Sequence, residues 1–211
     1  MDGYAYIAIE GNIGAGKTTL CKMLGNHLGS ELILERFEEN PFLERFYKDP
    51  ASHAFSVELA FVADRFKQLR EALGSRNLFR QKVVADYSFA KSLIFAKVNL
   101  PREEYVLFRT MFRLMEAQVP KPEVVAILDP GIDRVKKQIV ERGRHYEQDL
   151  PDGYLEKVEA GYEAHYQYHR GSRVIHVDTS NLDFVRNKED YRKLISCILA
   201  PRKPGVYQTK P

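Results

Sequence analysis

The sequence predicts an α/β fold, a five-stranded parallel sheet with helices on both faces. Three observations carry that prediction. Five short runs are rich in Val, Ile, Leu and Ala, and most of them have apolar residues at consecutive positions. A strand with one wet face alternates apolar and polar residues, whereas a strand covered on both faces reads as a continuous apolar run. Longer amphipathic stretches separate the runs, and such strand–helix alternation returns each strand parallel to the others through right-handed crossovers. Finally, no internal repeat or low-complexity linker interrupts the pattern, and 211 residues suit one domain with a full core.

Tyr4–Glu10 is the first predicted strand, and Lys17–Leu28 is the helical pattern that follows it. Leu32–Arg36, Val83–Tyr87, Val124–Asp129 and Val174–Asp178 are the other four runs. Helical patterns cover Ser52–Leu73, Phe89–Val98, Arg102–Val119, Ile132–Val140, Asp152–His169 and Asn187–Leu199. These elements make a single domain over residues 1–200. The stretch Pro201–Pro211, with three prolines and a glycine, reads as a loosely held tail. In an open parallel sheet, ligands bind beyond the carboxyl ends of the strands. Chemistry is therefore expected at Gly11–Thr18, Arg36–Pro41, Asp86–Ser88, Asp129–Gly131 and Thr179–Phe184.

Composition narrows the classes. Hydrophobic residues make up 44% and charged residues 29%, ordinary values for a globular chain. A formal charge of +3 does not suggest a nucleic-acid partner, yet it leaves room for a local basic site facing a phosphate. Cys21 and Cys197 have neither zinc-like spacing nor a disulfide pattern, which fits a reducing cytoplasm. No apolar run approaches membrane-spanning length, and the N-terminus lacks the pattern of a signal peptide.

The strongest motif follows the first strand. Gly11-Asn12-Ile13-Gly14-Ala15-Gly16-Lys17-Thr18 fits G-x-x-x-x-G-K-[ST] in full, and Thr19 follows. Glycines let the backbone curl its N–H groups around a β-phosphate at the positive end of a helix. Lys17 would reach the β- and γ-phosphates of ATP, and the Thr18 hydroxyl would hold Mg²⁺. This makes the chain a P-loop phosphotransferase by expectation, with the P-loop kinase fold. Its acceptor must be read elsewhere. Glu35 closes the second predicted strand and precedes Arg36-Phe37-Glu38-Glu39-Asn40-Pro41-Phe42. A carboxylate near the γ-phosphate can take the proton of an attacking hydroxyl, and it would repel an acceptor that already carries a phosphate.

A wider set of motifs points the same way. Asn40-Pro41-Phe42-Leu43, Phe46-Tyr47-x-Asp49-Pro50, Asp86-x-Ser88, Ile94-Phe95-Ala96 and Arg142-Gly143-Arg144-x-x-Glu147 accompany the P-loop and Glu35. Together they resemble the deoxynucleoside kinase family, in its order and at nearly its spacing, from about residue 4 to residue 199. The resemblance is greatest to bacterial members, and it implies roles for particular residues. Glu35 matches the carboxylate that activates the 5′-hydroxyl. Tyr47 and Glu147 match residues on the sugar 3′-hydroxyl, and Arg65 matches an arginine that reads the base. Glu58 stands where a glutamine usually pairs with the base, seven residues before Arg65 and so on one helical face. Phe95 belongs to the substrate wall. Arg142 and Arg144 match the basic lid that closes on the phosphates, and Asp183-Phe184 the loop that holds the donor adenine. Asp86 is the acid expected to help Thr18 with Mg²⁺. A homodimer is implied as well, acting on a small-molecule deoxynucleoside and ATP.

Three departures stand out. The usual Asp/Glu-Arg-Ser reads Asp86-Tyr87-Ser88, so the arginine that steadies the base carboxylate and the 5′-oxygen is missing. The base-reading aspartate has no clear equivalent, Ser92 being nearest, and the glutamine is Glu58. They leave two other readings open. One is another small P-loop kinase, such as a thymidylate-like kinase. The other is an ATP-binding regulatory module that has lost turnover.

Overall fold

The computed structural model describes residues 4–74, 82–148 and 150–211. Six strands form one sheet: β1 (Tyr6–Gly11), β2 (Glu31–Ile33), β3 (Val83–Ala85), β4 (Val124–Asp129), β5 (Arg173–Asp178) and β6 (Gly205–Thr209). Their order is β2-β3-β1-β4-β5-β6, and every neighbouring pair is parallel. Eight α-helices connect them among the described residues: α1 (Lys17–Leu28), α2 (Leu43–Lys48), α3 (Pro50–Gly74), α4 (Lys91–Asn99), α5 (Arg102–Glu116), α6 (Ile132–Arg142), α7 (Tyr154–Tyr166) and α8 (Lys188–Leu199).

The continuous apolar runs do what two-sided burial requires. In β1, Tyr6 and Ala8 join a core built with α3, α4 and α5, while Ile7 and Ile9 join the opposite core with α1 and α8. Successive side chains point to opposite faces. All six residues of β1 are accordingly buried.

Sequence expectation and structure part company chiefly in two places, besides strand ends such as that of β2, which stops at Ile33 and leaves Glu35 in the loop that follows. The sheet has six strands and not five, because the tail expected to be loose contains β6. Its register runs from Arg173↔Gly205 to Val177↔Thr209. Pro204 and Pro211 flank the strand without entering it, so no ladder donor is lost, and Val206, Tyr207 and Thr209 favour extended backbone. The long helix expected from Ser52 starts at Pro50 instead, and a separate short helix precedes it. Proline suits a first helical turn but pushes its predecessor out of the helical region. Asp49 obeys, with φ −142° and ψ 81°.

The strand order positions the site. β1 lies between β3 and β4, so the chain leaves β1 toward one half of the sheet and later returns to the other. The crevice at this reversal opens beyond the carboxyl ends of the three strands. There the loop after β1 meets residues following β2 and β3.

Candidate active site

The loop after β1 is fixed by its glycines. Gly11 has φ +137°, and a Cβ there would lie 2.6 Å from the Leu128 carbonyl oxygen of β4. Gly16, at the N-cap of α1, has φ +86°. Larger residues would be strained at both positions. Asn12 anchors the loop from behind, its amide donating to the Leu155 carbonyl at 2.8 Å. The Lys17 ammonium donates to the carbonyls of Gly11 (3.1 Å) and Asn12 (2.7 Å). Burial first, and then the nearby Lys91 ammonium, pull the Lys17 amine down to about 7. An arriving phosphate would reverse that shift by supplying negative charge.

A hydroxyl, a carboxylate and a backbone N–H meet in front of the loop. Thr18 Oγ1 donates to Asp86 Oδ2 at 2.6 Å, and Asp86 Oδ1 accepts from the Glu35 backbone N–H at 2.8 Å. Asp86 thus ties the end of β3 both to α1 and to the segment after β2. A hydroxyl and a carboxylate oxygen beside a phosphate cradle are suitable ligands for Mg²⁺, a hard cation that takes oxygen ligands.

Glu35 is held from two sides. Arg65 of α3 donates to Oε1 through Nε (2.9 Å) and Nη2 (2.6 Å), and Lys91 of α4 donates to Oε2 at 2.5 Å. Burial alone would raise the Glu35 carboxyl, but Lys91 and Arg65 outweigh it and hold the group well below the usual carboxylate range.

Behind this cluster lies a cavity lined by Tyr47, Glu58, Phe61, Arg65, Phe95, Asn99 and Tyr154 among others. Glu58 is 2% exposed; its Oε1 accepts from Asn99 Nδ2 at 2.7 Å, while its Oε2 is buried without a hydrogen-bond partner. Burial raises this carboxyl to about 7, despite the lowering effect of Arg65. Arg65 directs its own bonds to Glu35 and, through Nη1, to Ser92 at 2.8 Å. Tyr47 stacks on Tyr146 with centroids 5.6 Å apart.

Over the mouth sits the basic segment after α6. Buried Glu147 is ion-paired to Arg142 and also accepts from Arg144 at 3.3 Å. The Arg144 guanidinium covers the Phe37 ring at 3.7 Å. A second cleft, lined by Gly14–Thr19, Lys22 and Gln138, opens on the other side of the same wall. Cavity and cleft share Lys17, Thr18, Glu35, Arg142 and Arg144.

The model of one family, deoxynucleoside kinase, matches residues 7–200. This chain belongs to the deoxynucleoside kinase family. The deoxyguanosine kinase of Bacillus subtilis is 33% identical over 198 residues, which is 92% of this chain and 96% of that one. A deoxyadenosine kinase of Lactobacillus acidophilus is 27% identical, covering 90% and 92% of the two chains. Among solved structures, the deoxyadenosine kinase from M. mycoides with dCMP and a flexible dCDP bound aligns at a TM-score of 0.77. It is 26% identical, with 90% of this chain and 97% of that one covered.

Measured against the family pattern, the kinase's site residues divide in two. Lys17, Thr18, Glu35, Tyr47, Glu58, Arg65, Asp86, Phe95, Arg142, Arg144 and Glu147 all line the shared cavity. Asp183 and Phe184 do not line that cavity or the cleft. Phe184 is buried beneath the loop, where a Cβ on Gly16 would lie 3.2 Å from its ring. The Asp183 carboxylate accepts from the Arg186 N–H at 3.1 Å and shapes a local turn.

Sequence reasoning missed several residues of the site, Lys91, Asn99, Phe61 and Tyr154 among them. Lys91 is the only basic residue between Lys82 and Lys97, and it lies four positions after Tyr87, where the family arginine is lost. That coincidence was a readable signal. Tyr87 itself is fully buried, and its hydroxyl donates to Gln68 Oε1 at 2.5 Å. Asn99 gave no comparable signal, because only the fold brings the end of α4 against Glu58.

Proposed function

We propose that this kinase transfers the γ-phosphate of ATP to the 5′-hydroxyl of a purine deoxynucleoside. The shared wall carries the reading: the cleft and the cavity meet at Lys17, Thr18, Glu35, Arg142 and Arg144. A γ-phosphate on the cleft side and a hydroxyl on the cavity side would face each other there, as in-line transfer requires. The 5′-oxygen bonds to phosphorus, the bond to the β–γ bridging oxygen breaks, and its electron pair leaves on ADP.

Glu35 would accept the hydroxyl proton. Held strongly acidic by two cations, it is a weak base, so its first task is to orient the hydroxyl by accepting its hydrogen bond. The proton transfers late, once bonding to phosphorus has acidified it, which suits a loose transition state. Thr18 and Asp86 would hold Mg²⁺, which when bound neutralises charge on the β- and γ-phosphates. Tyr47 and Glu147 would receive the 3′-hydroxyl, and Glu58 the base. Glu35 and Glu147 disfavour an acceptor with its own phosphate, which argues against a nucleoside-monophosphate kinase.

Supporting a homodimer, Val106, Leu107 and Leu114 of α5 are large exposed apolar side chains. A cytoplasmic setting suits the free thiols Cys21 and Cys197. Among the described residues, no helix is long and apolar enough to cross a membrane.

The test is ADP formation from ATP and Mg²⁺ with each deoxynucleoside, each ribonucleoside, each monophosphate and no acceptor. Turnover is expected with deoxyguanosine and deoxyadenosine ahead of thymidine, with deoxyribose ahead of ribose. Faster turnover of a monophosphate, or none with any deoxynucleoside, would refute the reading.

A further inference from the structure

We propose that Lys91 is a catalytic residue of this kinase, its ammonium contacting the phosphoryl group in transit and the 5′-oxygen, in place of the arginine lost at Tyr87. The inference rests on the kinase reading above and names a residue outside the family motif.

Charge is the first argument. Lys91 opens α4, is 5% exposed, and lines the cavity next to the shared wall. Its partner Glu35 is already matched by Arg65, which holds the other carboxylate oxygen through two donors. Within this cluster Lys17, Arg65 and Lys91 face the carboxyl groups of Glu35, Asp86 and the buried Glu10, and Lys17 and Lys91 repel each other. Two buried ammonium groups that repel each other are costly until an anion arrives between them. The ligand this charge pattern fits is a phosphoryl group, and Lys17 already feels the repulsion of Lys91.

Donor capacity is the second. An ammonium has three N–H donors. One goes to Glu35 Oε2 at 2.5 Å, while the Phe95 ring centroid lies 5.6 Å from Nζ on the cavity side. The other donors are available to oxygens placed between Glu35 and Lys17, where the transferring group must pass. Meanwhile Tyr87 is turned into the core, its hydroxyl donating to Gln68. A donor fixed where charge develops stabilises the transition state more than the ground state.

Steady-state kinetics with ATP and the best deoxynucleoside test the assignment, the parent enzyme being measured first. Lys91→Met should lose kcat by about 10²–10³, the usual loss for one such donor. KM for both substrates should stay within about threefold. Ethylamine should restore part of the lost turnover to Lys91→Ala in a saturable way, which a structural role would not allow. A kcat within about threefold of the parent, or a raised KM at unchanged kcat, overturns the proposal. So does a folded Lys91→Ala that ethylamine does not rescue. Should both variants fail to fold, Lys91→Arg decides: it must keep kcat within about tenfold, and a larger fall overturns the assignment. A parent inactive on every deoxynucleoside would instead defeat the kinase reading itself.

Discussion

Glu58 has two oxygens in unequal company. Oε1 accepts from Asn99, while Oε2 is buried in the cavity with no partner. With burial lifting the carboxyl to about 7, the protonation of Glu58 changes within the physiological range. Neutral, Oε2–H donates and suits the N1 acceptor of adenine. Ionised, it accepts and suits the N1–H of guanine. The ratio of kcat/KM for deoxyguanosine over deoxyadenosine is therefore expected to rise between pH 6 and pH 8. In Glu58→Gln the ratio should be flat with pH and thymidine should gain ground. A parent ratio that does not move with pH would remove Glu58 from base recognition. Stability follows from the same residue. A carboxyl raised from 4.5 to about 7 binds more protons folded than unfolded between those values. Stability is then present below about pH 4.5 and lost progressively as pH rises to about 7. Glu58→Gln should thus gain in urea midpoint over the parent at pH 8 and lose that advantage at pH 4. The sequence exposed Glu58 as a departure, but not the orphaned oxygen that gives the departure its meaning. Burial and the Asn99 contact arise only from packing α3 against α4.

Elements were legible where one physical demand dominated. β1 and β4 announce themselves because both faces are covered, so nearly every position is apolar. The loop after β1 is legible because glycines at Gly11 and Gly16 are required by backbone geometry as well as by phosphate chemistry. β6 was not, since prolines at 201, 204 and 211 and Gly205 outweigh the other four strand residues in any compositional reading. Its existence depends on the β5 edge, which is distant in the pattern but adjacent in the fold. Nor was the tie between the lid arginines and Glu147 legible, although the motif names all three residues. Spacing places them on one short segment, whereas only coordinates show Glu147 buried between Arg142 and Arg144. The role of β6 can be measured. Deleting residues 201–211 exposes the ladder groups of β5 and removes the Lys210–Asp178 ion pair, itself a minor contribution at an exposed site. For a chain of this size about 1 kcal/mol shifts Tm by roughly 2–4 °C. A fall of at least about 4 °C is expected, with the KM for ATP unchanged. An unaltered Tm would show that the sixth strand adds nothing to the fold.

At the scale of the molecule, the site results from strand order. β3, β1 and β4 are neighbours, so the ends that carry Asp86, Gly11 and Asp129 converge although they are far apart in the chain. On one side of this convergence α1 and the segment of Arg142 and Arg144 form the cleft; on the other, α3 and α4 wall the cavity. From sequence, the P-loop and the acidic residue after the second strand give the donor and the chemistry. They do not show that two compartments share a wall, because Lys91 and Asn99 join the site only through helix packing. That wall makes a geometric demand on ligands. A molecule occupying both compartments must pass between Lys17 and Glu35, with its phosphates against Arg142 and Arg144. Deoxyguanosine and adenosine joined 5′ to 5′ by a chain of phosphates has this form. Once one end is bound, the other is held at millimolar effective concentration, so binding should exceed either half alone by about 10²-fold or more. Its inhibition should be competitive against ATP and against the deoxynucleoside. Phosphate chains of three to six units would locate the optimal span, expected where all the phosphates fit between the two compartments. Competition against ATP alone, at every chain length, would mean that the deoxynucleoside does not enter the cavity beside Glu58. The base-recognition and transfer arguments would then fall together.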